Sequence, residues 1–115
     1  MTAPRVSVII ISYQVRDLLR SCLQSLLVQP GVEVEWIVVD NCSTDGSAEM
    51  VEREFPAVRL IRNATNVGFS RANNQALAVA NGEYLALINP DTESPPGALA
   101  ACVAAFARHP EAAVV

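Results

Sequence analysis

The stretch Trp36-Ile-Val-Val-Asp40-Asn41 decides the fold, because a continuous apolar run of this length predicts a strand buried on both faces of a parallel sheet. A second such run, Tyr84-Leu-Ala-Leu-Ile-Asn89-Pro90-Asp91-Thr92, also leads into a carboxylate. Ligands of parallel sheets bind in the crevice beyond the carboxyl ends of the strands. Asp40 and Asp91 are therefore expected to face one cleft, where one carboxylate can read a nucleobase and the other can hold a metal ion.

Strand and helix patterns alternate around these two runs. Strands are predicted over 6–11, 35–40, 58–62 and 84–88, and a further strand begins at 112–115. Helices are predicted from an apolar stripe over 15–27, after the cap residues 43–47, from the turn 66–69 to about 80, and after 94–97 to 109. The order predicts an α/β fold, a mostly parallel sheet flanked by helices with right-handed crossovers. The third helix should turn Ala72, Ala76, Leu77 and Ala80 inward and end in a left-handed cap at Asn81-Gly82.

Composition narrows the function classes. The chain has 115 residues, enough for one domain, with 51% hydrophobic residues and a net charge of −4. Without a basic cluster, nucleic-acid binding is not expected. All eight basic residues are arginine, which excludes a P-loop lysine, a Schiff-base lysine and the lysine of a receiver domain. No membrane-spanning stretch or secretory signal is visible, so a cytoplasmic location is expected, with peripheral attachment to the inner membrane face in a full-length form.

The three cysteines show no metal-binding spacing. Cys22 and Cys102 fall on apolar helical faces, so we expect buried thiols rather than a zinc site or a disulfide framework.

The two strand-end carboxylates are the strongest candidates for a site. Asp40 can only accept hydrogen bonds when ionised, so it would select bases with a ring N–H, namely uracil, thymine or guanine. The alternative is that Asp40 caps the next helix, a role for which Asp45 competes. Asp91 beside a diphosphate would hold Mg²⁺ or Mn²⁺. The alternative is that Asp91 only forms a turn.

Other polar residues are expected near the same edge. Ser12 and Tyr13 follow the first strand; Ser12 either donates to the base or caps a helix, and Tyr13 flanks the base. Asn66, Arg71 and Asn73 surround a helix start, which favours anions. Arg71 is either a diphosphate partner or an ordinary surface arginine.

Four motifs, in order, resemble the nucleotide-binding half of a family 2 glycosyltransferase with the GT-A fold. They are Ser7-Val-Ile-Ile-Ile-Ser-Tyr-Gln14, Val38-Val-Asp-Asn-Cys-Ser-Thr-Asp-Gly-Ser47, Asn66-Val-Gly-Phe-Ser-Arg-Ala-Asn-Asn74 and Gly82-Glu-Tyr-Leu-Ala-Leu-Ile-Asn-Pro-Asp91. The resemblance implies that Asp40 contacts the base, that Asp91 contacts a divalent metal and the diphosphate, and that a sugar is transferred with inversion to an acceptor hydroxyl. It also implies that residues 1–115 form the nucleotide-sugar-binding part, with the acceptor-binding part and the general base outside this chain, so the catalytic residue is unknown and the chain alone should be inert.

Some positions depart from the pattern of the family. Asn89 and Thr92 stand where acidic residues are common, so Asp91 is the one carboxylate ligand left. Asn41 and Cys42 replace Asp-Gly, and Asn73 stands where an arginine is frequent. Asn-Val-Gly-Phe and Asn-Pro-Asp-Thr are similar to rhamnosyltransferase-like members, which implies a dTDP- or UDP-sugar donor and a glycan or lipid-linked acceptor in cell-surface polysaccharide synthesis.

The sequence leaves three alternative functions to consider. Each has a property or a requirement that distinguishes it from a glycosyltransferase. A degenerate nucleotide-sugar-binding module would bind without metal. A nucleotidylyltransferase would need a glycine-rich loop after the first strand, and a receiver domain would need the missing lysine. The apolar sheet edge also predicts self-association of this chain.

Overall fold

The computed structural model describes residues 5–27 and 29–108, with side chains to residue 105. Strands and helices alternate as predicted, so the α/β fold class is confirmed. The strands are β1 (Arg5–Ser12), β2 (Glu33–Asp40), β3 (Arg59–Arg62) and β4 (Tyr84–Leu87). The helices are α1 (Arg16–Leu26), α2 (Ser47–Glu54), α3 (Phe69–Val79) and α4 (Ala98–Arg108). The strand predicted at 112–115 and the end of the last helix at His109 lie outside the described residues.

The four strands form one parallel sheet in the order β3-β2-β1-β4. The chain therefore builds outward from β1 to β3 and then crosses to the opposite edge through α3. This crossing makes the gap between β1 and β4 the topological switch point, which is where ligands bind in sheets of this kind.

Apolar side chains cover both faces of the sheet. Helices α1, α2 and α4 pack on one face against a cluster that includes Val8, Ile10, Leu19, Leu23, Val38, Met50, Val51 and Leu99. Helix α3 packs on the other face, where Ala72 and Ala76 meet Ile9, Ile37 and Val39. The two alanines have short side chains, which lets α3 lie close to β1 and β2.

One of the residues predicted to face inward on α3, Leu77, does not do so. Leu77 is 42% exposed, so this prediction was wrong. It lies one residue beyond the buried Ala76, a rotation of about 100° around the helix, which turns it away from the sheet. Ala80 ends the helix and packs against the cluster on this face.

Gly82 does not form the left-handed cap that was predicted. Helix α3 ends at Ala80, which has extended dihedral angles (φ −72°, ψ 136°), and the φ angle of Gly82 lies outside the left-handed range. Instead, a Cβ on Gly82 would lie 2.5 Å from the backbone nitrogen of Ser7 and 2.6 Å from its Oγ. The backbone N–H of Gly82 donates to this Oγ at 2.8 Å. Glycine is needed here for a close approach between two chain segments.

The segment after β4 is hydrogen-bonded to Gln29, which follows α1 in the chain. The Gln29 side chain donates through Nε2 to the carbonyl oxygens of Ser94 and Pro95 at 3.4 and 3.0 Å, and its Oε1 accepts from the N–H of Leu99 at 3.1 Å.

Cys22 is buried as predicted, but Cys102 is exposed. Cys102 lines a cavity of about 380 Å³ between β4 and α4, at the edge of the sheet, which explains its exposure.

No helix in the described part of the chain is both long and apolar enough to cross a membrane.

Strand β4 lies at the edge of the sheet. One of its faces is largely exposed, contrary to the prediction that both faces are covered. Leu85 and Leu87 are 51% and 62% exposed, because α3 packs on β1 and β2 and does not extend over β4. The opposite edge, β3, carries Arg59 and Arg62. Charged side chains discourage strand pairing between copies, and β4 has none.

We expect this edge to mediate the predicted self-association, and Leu87→Lys to weaken it at least about tenfold, because like charges would face each other across paired edges. Sedimentation equilibrium measures the effect. Leu18→Lys is the matched control, since Leu18 is 51% exposed on α1, away from this edge. A wild-type chain that stays monomeric at high concentration would contradict the prediction.

Candidate functional site

The carboxyl edge of the sheet brings the predicted strand-end residues together. Ser12 and Asp40 are register partners at the ends of β1 and β2, so their side chains point to the same face. Beyond β4, the N–H of Ile88 donates to the carbonyl oxygen of Ile9 at 3.0 Å, which carries the following residues past the end of β1. Asp91 thus emerges at the same edge as Asp40. Strands β2 and β4 are two strand spacings apart, about 10 Å, so a ligand that touches both must pass over the end of β1.

Asp40 is almost fully buried and has two different carboxylate oxygens. Its Oδ2 accepts from the N–H of Ser43 at 3.0 Å, which fixes the turn after β2. Its Oδ1 is buried and, within the described part of the chain, has no hydrogen-bond partner. Asp40 thus does not cap α2, which was its alternative role, because the N-cap residue of α2 is Gly46; one of its oxygens holds the turn after β2 instead. This arrangement also leaves one acceptor unused, and an unused buried acceptor is costly unless something binds it.

Ser12 is also buried, and its Oγ has no partner among the described residues. It does not cap a helix, because the N-cap position of α1 is Val15. Tyr13 follows it and is 49% exposed, so its ring is accessible at the edge. An unpaired hydroxyl and an unpaired carboxylate oxygen thus lie on neighbouring strands, and a tyrosine ring lies just beyond them.

Asp45 performs the capping role that the sequence suggested for it, and at two helices. It accepts from the N–H of Arg16 at the start of α1 at 2.9 Å, and from the N–H and hydroxyl of Ser47 at the start of α2. Burial alone would raise the pKa of this carboxyl, but the hydrogen bonds from Ser47 and from the Arg16 backbone outweigh it and lower the pKa below its usual value. The Asp45 carboxylate therefore has a structural role, in which it holds the starts of α1 and α2.

Asn41 is a structural centre that the sequence analysis did not identify. Its Nδ2 donates to the carbonyl oxygen of Gly68 at 3.3 Å, and its Oδ1 accepts from Asn63 Nδ2 at 3.0 Å and from the N–H of Val67 at 3.4 Å. Asn63 also exchanges two hydrogen bonds with Gln75 on α3. The signal was an asparagine directly after a buried strand, since an amide can donate and accept at once.

The three candidates around α3 do not form one group. Asn66 is exposed, and its Oδ1 accepts from the N–H of Gly68 at 2.9 Å. Arg71 is exposed and shares an open depression of about 450 Å³ with Gln75, on the flank of α3 that Asn63 ties to the end of β3. This flank lies towards β3, at the opposite edge from β4, so the structure does not bring Arg71 together with Asp91.

Asn73 lies on the other flank of α3, about 160° around the helix axis from Gln75. Its Oδ1 is buried and has no hydrogen-bond partner in the described part of the structure. Asn73 therefore stays a candidate on the side of the helix that is nearer to the switch point.

Asp91 is exposed in a turn in which the N–H of Thr92 donates to the carbonyl oxygen of Asn89 at 3.0 Å. The Cys22 thiol donates to the same carbonyl at 3.8 Å. Burial raises the pKa of this thiol to about 11, and the negative charge of Asp91 adds to the effect. The turn is thus anchored on α1 while the Asp91 carboxylate remains open to solvent.

One carboxylate is not a complete metal site. In the ranges 5–27 and 29–108, no group of three histidine, cysteine, aspartate or glutamate side chains could enclose an ion. Mg²⁺ and Mn²⁺ are commonly held by one or two carboxylates together with substrate phosphates and water. An exposed Asp91 fits a metal shared with a bound diphosphate, and does not fit a metal held by the protein alone.

Comparison with protein-family models identifies the family of this chain. The model for glycosyl transferase family 2 matches residues 7–115. The chain belongs to glycosyl transferase family 2. The family resemblance of the four motifs is thereby confirmed, whereas rhamnosyltransferase specificity is not.

Solved glycosyltransferases of similar sequence have the same fold. The mannosyltransferase PcManGT from Pyrobaculum calidifontis, in complex with GDP-Man and Mn²⁺, is 31% identical with a TM-score of 0.83; the match covers 92% of this chain and 33% of that one. S. aureus TarS 1-349 in complex with UDP-GlcNAc is 29% identical with a TM-score of 0.81, over 91% of this chain and 32% of that one. The GT-A fold assignment is confirmed by these similarities.

Curated relatives of this family 2 chain are longer. The uncharacterized glycosyltransferase YibD of Escherichia coli (strain K12) is 38% identical over 77% of this chain and 26% of its own length. The putative teichuronic acid biosynthesis glycosyltransferase TuaG of Bacillus subtilis (strain 168) is 36% identical over 76% of this chain and 36% of its own length. The matched region thus spans about a quarter to a third of these relatives.

Proposed function

We propose that this chain is the donor-binding part of a glycosyltransferase that moves a sugar from a nucleoside diphosphate to an acceptor hydroxyl. The observation that carries the proposal is the position of Asp91, which is exposed in a turn directly beyond β4, at the switch point with β1. Two similar family members are described with GDP-Man and Mn²⁺ and with UDP-GlcNAc.

Asp91 would hold the divalent metal, Mn²⁺ or Mg²⁺, together with the diphosphate. When bound, the metal supplies neutralising charge for the departing nucleoside diphosphate. Within the turn 89–92, Asp91 is the residue whose carboxylate is exposed to solvent. The carbonyl oxygen of Asn89 instead accepts from the Cys22 thiol.

Asp40 would contact the base through Oδ1, with Ser12 as a neighbouring donor and Tyr13 flanking the ring. The carboxylate would favour a base that offers a ring N–H. Because Oδ1 and the Ser12 hydroxyl are both closed off from solvent, base contact requires a local rearrangement that exposes these two atoms. The exposed Asn66 and the half-buried Asn73 complete the proposed nucleotide-binding residues, and Arg71 would join them only through a rearrangement of α3.

The finer assignments are also proposals. The donor is a dTDP- or UDP-sugar, rhamnose being one candidate, and transfer inverts the sugar carbon. The acceptor is a glycan or a lipid-linked glycan in polysaccharide or cell-envelope synthesis, and the reaction takes place in the cytoplasm. The general base lies outside residues 1–115, in the acceptor-binding part.

A second candidate is a degenerate nucleotide-sugar-binding module. The observation that favours it is the same single carboxylate, since Asn89 and Thr92 supply no charge to a metal ion. Such a module would bind a nucleotide without metal and would not transfer sugar.

Calorimetric titration of UDP, dTDP and GDP into the chain, with Mn²⁺ and with a chelator, separates the two candidates. Binding that requires Mn²⁺ supports the donor-binding part, and binding that the chelator leaves unchanged supports the degenerate module. A folded chain that binds none of the three nucleotides would contradict both.

A further inference from the structure

Gln14 joins the loops that follow β1 and β2 through both its side chain and its backbone N–H. Its Nε2 donates to Thr44 Oγ1 at 2.8 Å, and its Oε1 accepts from the N–H of Thr44 at 2.9 Å. Its backbone N–H donates to Ser43 Oγ at 2.9 Å. These three hydrogen bonds connect residues about thirty positions apart in the sequence, and the first two use both ends of the Gln14 side-chain amide.

The backbone at this junction is strained. Gln14 has a φ of 56° and Cys42 has a φ of 67°, and no other non-glycine residue in the described part of the chain has a positive φ. One of the two lies in each of the joined loops. Such conformations persist where the surroundings hold them in place, and they concentrate at functional sites. Here the surroundings include the Gln14 hydrogen bonds to the residues that directly follow Cys42.

The hydrogen bonds continue from Gln14 to the proposed base-contacting carboxylate. The Gln14 N–H is bonded to the Ser43 hydroxyl, and the Ser43 N–H is bonded to Asp40 Oδ2. Ser43 is therefore held from both sides, and the Asp40 carboxylate is oriented with Oδ1 as its unused acceptor. The side-chain amide of Gln14 holds the neighbouring Thr44, so we expect loss of the amide contacts to loosen the loop beside Ser43 even though the backbone N–H of Gln14 can still bond to Ser43.

We propose that Gln14 is a positioning residue for donor binding, which acts through Ser43 and Thr44 to hold the loop 41–46 and the Asp40 carboxylate in place. This inference rests on the proposed function. Gln14 itself need not touch the nucleotide. Its effect should appear as base selectivity, because the orientation of Asp40 determines which base edge is accepted.

The test compares Gln14→Met with the wild-type chain. Methionine keeps the length of the side chain and removes the paired amide contacts to Thr44. We expect faster hydrogen exchange at the amides of residues 43 and 44, an approximately tenfold weaker affinity for the preferred nucleotide among UDP, dTDP and GDP with Mn²⁺, and a smaller spread between the three affinities. A merely structural contribution would leave the ratio of the three affinities unchanged.

Two further variants serve as controls, one that restores the contacts to Thr44 and one on a different surface. Gln14→Glu should restore slow exchange at Thr44, because a carboxylate can accept from both the N–H and the hydroxyl of Thr44. Gln24→Met is the matched control, since Gln24 is exposed on α1, and it should behave as wild type.

The possible failures are distinguishable. A wild-type chain that binds none of the nucleotides contradicts the proposed function, and this inference with it. A wild-type chain that binds, with Gln14→Met showing unchanged exchange in the loop 41–46 or an unchanged ratio of affinities, overturns the inference alone.

Discussion

Asp91→Asn should weaken metal-dependent nucleotide binding by at least about 100-fold, since loss of residues that merely support a metal ligand already costs 10–100-fold. Asparagine keeps the size of the side chain and its ability to form the turn 89–92, and it removes the negative charge that a divalent metal needs. The effect should be large because Asn89 and Thr92 offer no second carboxylate in this turn. Titration of the preferred nucleotide with Mn²⁺ measures the loss.

The matched control is Glu93→Gln, which removes the same charge from an exposed residue two positions further on. It should retain wild-type affinity. The folded state of Asp91→Asn can be checked at Cys22, because burial and the charge of Asp91 together raise the pKa of that thiol. In a folded variant the thiol should stay protected from alkylation, with a pKa slightly lower than in the wild-type chain. Equal nucleotide affinity in Asp91→Asn and Glu93→Gln would refute the role of Asp91.

The sequence predicted the framework of the fold because periodicity reports burial. In the β2 run, residues 37–40 are buried as expected. On α1, Leu19, Cys22, Leu23 and Leu26 are buried, although the predicted stripe was too wide. Leu18 and Leu27, at its margins, are 51% and 48% exposed. A pattern of apolar residues gives the direction of the buried face, and the width of that face depends on which elements pack against it.

The details of the site depended on contacts between distant residues, which no local pattern contains. Asp40 and Asp91 were expected at one sheet edge, and the parallel strand order brings them there. However, the orientation of Asp40 depends on Ser43, and Ser43 depends on Gln14 from another loop. Arg71 was expected to pair with the diphosphate because it lies near a helix start, but α3 turns Arg71 towards β3. The sequence pattern thus predicts the sheet edge at which the site lies, and not the hydrogen bonds between the loops along that edge.

Gly82→Ala should destabilise the chain by about 2–3 kcal/mol, a large part of the 5–15 kcal/mol that typically stabilises a domain. The added Cβ would lie 2.5 Å from the backbone nitrogen of Ser7 and 3.0 Å from the carbonyl oxygen of Tyr84. Backbone atoms cannot rotate away as a flexible side chain can, so the start of β4 must separate from β1. Urea unfolding measures the free energy, and hydrogen exchange should show loss of protection mainly in β4.

Gly97→Ala separates this steric clash from the other possible cause of destabilisation, which is the conformational preference of the glycine backbone. Gly97 has a φ of 87° and open space around its Cβ position, so alanine there should cost about 1 kcal/mol through backbone strain alone. Ser7→Ala combined with Gly82→Ala removes the Oγ that lies 2.6 Å away, but it leaves the backbone nitrogen in place. The double variant should therefore be no more stable than Gly82→Ala. Recovery of wild-type stability would show that only the hydroxyl was in the way. Because β4 leads directly into the turn 89–92, Gly82→Ala should also displace Asp91 and weaken metal-dependent binding, although Gly82 lies at the opposite end of the strand.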